Sequence, residues 1–124
     1  MPRNSQRAFS TIQKCDYLVI GGGSGGIASA RRAAQHGKKV VLIEQRAVGG
    51  TCVNVGCVPK KVMFNLGTFM EDATHAMPSY GVRGVEHLKV DFPAFKKARD
   101  NYISRLHGIY NRNLAANGVD LIKG

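Results

Sequence analysis

The chain has 124 residues, enough for one domain, and its 44% apolar and 21% charged residues are typical of a folded globular protein rather than a disordered one. No apolar run approaches the ~20 residues of a membrane helix, so we predict no transmembrane span. The formal charge of +10 could suit an anionic partner, but the Lys and Arg pairs are dispersed along the chain, and we predict no nucleic-acid binding.

Residues 1–14 form a basic leader before the first strand signal. The leader has three basic residues, two serines and no acidic residue, which suits a mitochondrial presequence. It equally suits a flexible, solvated leader, because Pro2 and Asn4 would keep an amphipathic helix short. Both interpretations stay open, with a cytoplasmic or mitochondrial location or both. No secretory apolar segment is visible, so we expect the cysteines to lie in a reducing compartment.

A strand–helix–strand unit follows the leader. Residues 16–20 and 40–43 are continuous apolar runs rich in β-formers, as expected for parallel strands buried on both faces. Residues 25–36 between them are good helix formers and end just before Gly37, a natural helix stop. The unit therefore predicts two parallel strands joined by a right-handed helical crossover.

The remaining sequence predicts one loop, two helices and one strand. The loop is glycine-rich and covers residues 48–56, the helices cover about 58–77 and 93–117, and the strand covers 119–122. This order predicts an α/β fold in which residues 15–124 are the N-terminal part of an incomplete Rossmann-like domain. We expect a parallel sheet with helices on both faces.

The first strand ends in a glycine motif that is typical of dinucleotide-binding proteins. Gly21, Gly23 and Gly26 supply the G-x-G-x-x-G spacing between a predicted strand and a predicted helix. Such glycines let the backbone approach a pyrophosphate at the helix N-terminus. Glu44 lies 18 residues after Gly26, at the end of the next strand, where a carboxylate can accept hydrogen bonds from a ribose. The pattern favours FAD or NAD over NADP.

Two cysteines lie close together after the second strand. On a regular α-helix the Cα atoms of Cys52 and Cys57 would be about 8.6 Å apart, whereas a disulfide tolerates at most about 7 Å. Either the cysteines are unpaired, or the backbone departs from a helix between them. Asn54 and Gly56 are the residues that permit such a departure.

Other roles for the cysteines are also open. Cys52 and Cys57 could be two inert thiols, since a free cysteine often behaves as a small hydrophobe. The four histidines show no spacing that would complete a metal site, so we predict none. Lys60 could stabilise a thiolate or a reduced flavin, whereas Lys61 is interpreted as a solvated neighbour and Cys15 as inert.

Three motifs together resemble a known family. The segments GGGSGG and GGTCVNVGCVPKK, with the acid Glu44 between them, are similar to the N-terminal part of the pyridine nucleotide–disulfide oxidoreductases, and the resemblance extends over residues 16–124. It implies bound FAD, a redox-active Cys52–Cys57 pair, Cys57 as the thiolate facing the flavin and Cys52 as the thiol that attacks substrate. The cofactor-binding residues that it implies are Gly21, Gly23, Ser24, Gly25, Gly26, Glu44, Thr51, Cys52 and Lys60.

The residues around the cysteines also indicate a branch of the family. Pro59-Lys60-Lys61 resembles the glutathione, trypanothione and thioredoxin reductase branch, because lipoamide dehydrogenases and mercuric reductases usually have a serine after the proline. Phe64 departs from the tryptophan often found there, and we interpret this as conservative packing.

Ser24, Arg31 and Tyr110 match positions that contact the substrate in family members that reduce glutathione disulfide. Seven residues turn a helix by about 700°, so Ser24 and Arg31 share one face, and Arg31 could bind a glycine carboxylate bidentately. The alternatives are a surface cation for Arg31 and an ordinary helix-core aromatic for Tyr110. A thioredoxin or trypanothione reductase and a non-catalytic FAD-binding module remain alternative functions.

The resemblance implies an NADPH-dependent enzyme that works as a homodimer. In the family the NADPH domain, the dimerisation domain and a His–Glu acid pair from the partner subunit lie beyond the region matched here. We therefore expect the 124-residue chain to be a fragment that is inactive alone.

Overall fold

The computed structural model describes residues 13–124, so most of the predicted leader, residues 1–12, lies outside the described residues. In this part of the chain the strands are β1 (Tyr17–Ile20), β2 (Val40–Glu44) and β3 (Val119–Lys123). The α-helices are α1 (Ser24–Gln35), α2 (Gly50–Asn54), α3 (Cys57–Glu71) and α4 (Phe92–Ala116). A π-helical segment (Asp72–Ala76) and two 3-10 turns (Met77–Tyr80 and Val85–His87) lie between α3 and α4.

The strands form one parallel sheet in the order β1-β2-β3, as predicted for a Rossmann-like unit. In this register Tyr17 is opposite Val40, and Val40 is opposite Val119. The helix stops are also confirmed, because Gly37 and Gly118 follow α1 and α4 in the left-handed conformation, with φ of 74° and 69°. A residue with a side chain would be strained at either position.

The main hydrophobic cluster lies on one face of the sheet. Alternate residues of the strands point to the same face, and those of this face join with residues of α1 and α4 in one buried cluster. The cluster consists of Val19, Ile27, Ala30, Val40, Leu42, Val48, Leu114 and Val119. The predicted α/β fold with a parallel sheet and packed helices is confirmed.

The prediction that β1 is buried on both faces is wrong. Val19 points into the core and is 8% exposed, but Ile20 is 82% exposed and Leu18 is also exposed. The reason is that β1 is an edge strand of the described sheet and has the core on one face only. The prediction is correct for β2, the central strand, where Val40 and Val41 are both buried.

Two loop and helix predictions need correction as well. The expected loop at residues 48–56 contains the short helix α2, because only its ends need glycine conformations. The helix expected at 58–77 is α-helical only to Glu71 and then continues as π-helix and 3-10 turn. Pro78 lies in that 3-10 turn, where its missing N–H ends the regular hydrogen bonding. None of the helices in residues 13–124 is both long and apolar enough to cross a membrane.

Replacing Gly26 by alanine should destabilise the fold. A Cβ atom at this position would stand 1.9 Å from the carbonyl oxygen of Gly21, so α1 and the strand end would have to separate. We expect a loss of about 1–3 kcal/mol or more in the free energy of unfolding, measured by urea denaturation. Gly25→Ala is the control, because a Cβ atom there meets nothing within 4 Å. Equal stability of the two variants would contradict this packing argument.

Candidate functional site

The N-terminus of α1 is built to hold an anion. Helix α1 begins at Ser24, and its N-cap residue Gly23 provides no side-chain hydrogen bond. The first turn also contains no acidic residue, so the first N–H groups and the positive end of the helix dipole are not neutralised by a side chain. Gly26 keeps this turn tight against Gly21. The turn at residues 21–26, which we call the glycine turn, therefore fits the pyrophosphate of a dinucleotide.

Glu44 is held in place at the end of β2 by backbone groups. The N–H group of Gly22 donates to its Oε2 atom and the N–H group of Arg46 donates to its Oε1 atom, both at 2.7 Å. These two hydrogen bonds lower the pKa of the Glu44 carboxyl group below its usual value, and the bond from Arg46 has the larger effect. A carboxylate has about four acceptor sites, so Glu44 keeps capacity for the hydroxyl groups of a ribose.

The glycine turn is in direct backbone contact with the loop that follows β2. The N–H group of Gly49 donates to the carbonyl oxygen of Gly22 at 2.6 Å. A Cβ atom on Gly50 would stand 2.8 Å from the Cα atom of Gly23, and Gly50 also has a φ of 63°. Only glycine fits there. As a result, helix α2 and its cysteine start directly beside the candidate phosphate site.

The two cysteines lie on different helices, in a unit that we call the cysteine segment (residues 50–57). Cys52 is in α2 and Cys57 is the first residue of α3. Between them Val55 ends α2 with a φ of −138°, and Gly56 has a φ of −117° and a ψ of −110°. A Cβ atom on Gly56 would be 2.9 Å from the Thr51 carbonyl oxygen. Both alternatives that the sequence left open are found: the cysteines are unpaired, and the backbone departs from a helix between them, at Val55 and Gly56 rather than at Asn54.

The thiols of Cys52 and Cys57 are both free. The hydrogen bond with Cys57 is the main cause that raises the pKa of the Cys52 thiol above its usual value, followed by desolvation and by repulsion between two negative sulfurs. Cys52 therefore keeps its proton more readily than an isolated cysteine does. Within residues 13–124, no group of three metal-ligating side chains is found.

Clefts open on both sides of the cysteine segment. Glu44 and Thr51 line one cleft of about 570 Å³. Cys57 and Lys60 line another of about 510 Å³, with Phe64 at its wall. Of the candidate cofactor residues, Glu44 and Thr51 therefore line an opening at the end of β2, and Lys60 lines a second opening at the start of α3.

The three candidate substrate residues lie on α1 and α4, which are in contact. Ser24 is exposed at the start of α1 and Tyr110 is half-buried on α4, where it packs against the core cluster. Arg31 is half-buried, and its Nε atom is buried without a hydrogen-bond partner in the described part of the chain. Because this Nε atom is closed off from solvent, a ligand would have to bind the guanidinium through its terminal nitrogen atoms.

Sequence reasoning missed several contacts of the site. It did not find the N–H group of Arg46 as a partner of Glu44, nor the side-chain hydrogen bond between Asn54 and His107. The contact of Gly49 and Gly50 with the glycine turn was missed too. The Arg46 and Gly49–Gly50 contacts had local signals, because Arg46 is two residues after Glu44 and the glycine pair lies just before Cys52, whereas His107 is 53 residues from Asn54.

Comparisons with known proteins agree with this geometry. Residues 15–124 match the family model described as pyridine nucleotide-disulphide oxidoreductase. The chain is 56% identical over 122 residues to glutathione reductase of Debaryomyces hansenii and 50% identical over 120 residues to that of Yarrowia lipolytica, with 94% of this chain covered in both cases. It is 53% identical over 110 residues, or 88% of this chain, to glutathione reductase of Schizosaccharomyces pombe. The matched regions span about a quarter of these relatives, 25%, 25% and 24% of their lengths.

Replacing Glu44 by glutamine should destabilise the protein in a pH-dependent manner. The amide places a donor where the carboxylate now accepts from Gly22 or Arg46. Because the pKa of Glu44 is lowered on folding, its contribution is present above about pH 4.5 and is lost as the pH falls through the folded-state pKa. The difference in unfolding free energy between wild type and Glu44→Gln should therefore shrink below about pH 4.5.

The measurement is urea unfolding from pH 3 to pH 7, with the exposed Glu86→Gln as control. A difference between wild type and Glu44→Gln that is independent of pH would contradict the assigned role of the carboxylate.

Proposed function

Because this chain belongs to the pyridine nucleotide-disulphide oxidoreductase family, we propose that it forms the FAD-binding and dithiol part of an NADPH-dependent reductase of glutathione disulfide. The observation that carries the proposal is the placement of Cys52 and Cys57 on either side of the break between α2 and α3, in a segment packed against the glycine turn. The glutathione reductases similar to this chain support the choice of disulfide. We further propose that the full-length enzyme is a homodimer in the cytoplasm or mitochondria.

FAD fits the residues that are present. Backbone N–H groups at the start of α1 would bind its pyrophosphate, and the carboxylate of Glu44 would accept hydrogen bonds from the adenosine ribose. Thr51, Cys57 and Lys60 would lie beside the flavin ring. When bound, the flavin supplies a relay that carries two electrons from the nicotinamide to the Cys52–Cys57 disulfide.

The two cysteines perform the exchange with substrate. The Cys52 thiolate attacks one sulfur of glutathione disulfide, so that a mixed disulfide forms and one glutathione leaves as its thiolate. The Cys57 sulfur then attacks the Cys52 sulfur, which closes the Cys52–Cys57 disulfide and releases the second glutathione. The Cys52 thiol must lose its proton before it can attack, because the thiolate is the nucleophile in this exchange. Cys57, at the positive end of α3, is suited to carry the negative charge between these steps.

Arg31 supplies the selectivity for glutathione in this proposal. Its guanidinium is half-buried, with the Nε atom unpaired in the described residues, and it lies on the helix that Ser24 begins. A glycine carboxylate of the tripeptide would bind the terminal nitrogen atoms of this guanidinium with charge-assisted hydrogen bonds. Tyr110 would lie on the opposite side of the substrate, on α4.

Replacing Cys52 by serine in the full-length enzyme should abolish disulfide reduction but leave flavin binding largely intact. A hydroxyl group cannot exchange with a disulfide, whereas the glycine turn and Glu44 do not depend on this sulfur. Turnover is measured as NADPH oxidation with glutathione disulfide, and bound flavin by its visible absorbance. Cys15→Ser, at a cysteine before β1, is the control and should behave as wild type. Loss of the flavin with residual activity unchanged would refute the role given to Cys52.

Replacing Arg31 by alanine should raise the KM for glutathione disulfide about 10- to 150-fold, because a charge-assisted hydrogen bond is worth about 1.5–3 kcal/mol. If the bond is equally strong in the ground state and the transition state, kcat should change little. The neighbouring exposed Arg32→Ala is the matched control.

Steady-state kinetics with glutathione disulfide, trypanothione disulfide and thioredoxin test both the residue and the substrate. An unchanged glutathione KM in Arg31→Ala, or a wild-type preference for either other substrate, would refute the glutathione assignment and leave the flavin–dithiol proposal standing.

A further inference from the structure

The side chain of Asn54 links the cysteine segment to two other parts of the structure. Its Nδ2 atom donates to the carbonyl oxygen of Ala47, in the loop after β2, at 3.0 Å. Its Oδ1 atom is hydrogen-bonded to Nε2 of His107, on α4, at 2.5 Å. Asn54 is the last residue of α2 and directly precedes the break between the two cysteines.

The first of these bonds determines the direction of the second. Because Nδ2 of Asn54 faces a carbonyl oxygen, it must be the donor there, and the Oδ1 atom therefore faces His107 as an acceptor. His107 must then donate through its Nε2–H group. The imidazole is half-buried, and its helix is anchored in the core by Leu114, which is 1% exposed. His107 thus holds Asn54 from a rigid element.

We propose that His107 is a positioning residue for the Cys52–Cys57 pair, which it holds in place through the side-chain amide of Asn54. The inference deepens the proposed function, on which it rests, because it concerns the same dithiol. His107 does not take part in the exchange of sulfur atoms. It fixes the end of α2, and with it the distance from Cys52 to the start of α3.

The hydrogen bond between Asn54 and His107, which we call the tether, restrains the dithiol state more than the disulfide state. In the disulfide state the covalent ring itself restrains residues 52–57, so the loss of the tether adds little freedom. In the dithiol state the hydrogen bond to His107 supplies that restraint, and its loss gives the open form more conformational entropy. The effective concentration of one thiol near the other falls, and the disulfide becomes easier to reduce.

The test is the equilibrium between the dithiol and the disulfide in the full-length protein. The reaction is the exchange of two electrons and two protons with lipoic acid, in which the dithiol plus lipoic acid gives the disulfide plus dihydrolipoic acid. Samples are equilibrated at known ratios of the two forms, alkylated and analysed by mass spectrometry of the peptide that carries Cys52 and Cys57. The variants are His107→Leu, which lacks the donor, and His107→Gln, whose Nε2 amide takes the place of the imidazole Nε2.

We expect His107→Leu to make the disulfide about 2- to 12-fold less favoured, a shift of about 10–30 mV towards less negative potential. His107→Gln should restore the wild-type value, and the exposed His87→Leu should not change it. If His107→Leu does not fold, His107→Asn is used instead, because its shorter amide does not reach Asn54.

No shift in the donor-free variant would overturn the inference, and so would an equal shift in His107→Gln, since packing rather than the hydrogen bond would then be responsible. The measurement uses neither NADPH nor glutathione. An enzyme that prefers another disulfide would therefore contradict the proposed function, while the shift would still test the role of His107.

Discussion

The backbone contact between the glycine turn and the loop after β2 is the constraint on which the rest of the site depends. Gly49 donates to Gly22, and Gly50 lies so close to Gly23 that a Cβ atom on Gly50 would clash with it. The contact joins the ends of two adjacent parallel strands, where ligands of open α/β sheets bind. It sets the start of α2, and so the place of Cys52, relative to the start of α1. Cofactor and dithiol chemistry can therefore share one small region.

The side chain of Glu44 adds hydrogen bonds to the same contact between the glycine turn and the loop after β2. Its two carboxylate oxygens accept N–H groups from Gly22 in the glycine turn and from Arg46 after β2. The carboxylate thus acts as a structural link before any ligand is considered, and this accounts for the lowered pKa of the group. A ribose hydroxyl group would meet an acceptor that is already oriented, which reduces the entropy lost on binding.

Helix α4 packs against elements of the site that the contact between Gly49, Gly50 and the glycine turn does not hold together. It contacts α1, α2 and α3, and its C-terminal end is buried in the core through Leu114. Tyr110 and His107 are three residues apart on it, so they project from neighbouring positions of the helix. One rigid element thereby carries a candidate substrate residue and the hydrogen-bond partner of Asn54. In the proposed enzyme this arrangement would keep the substrate pocket and the thiols in a fixed relation.

The sequence by itself determined local features, those that depend on residues adjacent along the chain. The apolar runs of β1 and β2 and the helix stops at Gly37 and Gly118 are local properties of backbone and side-chain size. They followed from residue order alone, and the strand–glycine–helix order was enough to predict the parallel sheet.

Only the tertiary structure decided which surfaces are covered and which distant groups meet. It left Ile20 exposed although its strand is apolar, because burial depends on what packs against a strand and not on its composition. It paired Asn54 with His107 across 53 residues and left the Nε atom of Arg31 buried without a partner in the described chain. These contacts depend on how helices dock on the sheet, and no periodicity or spacing in a single sequence encodes that geometry.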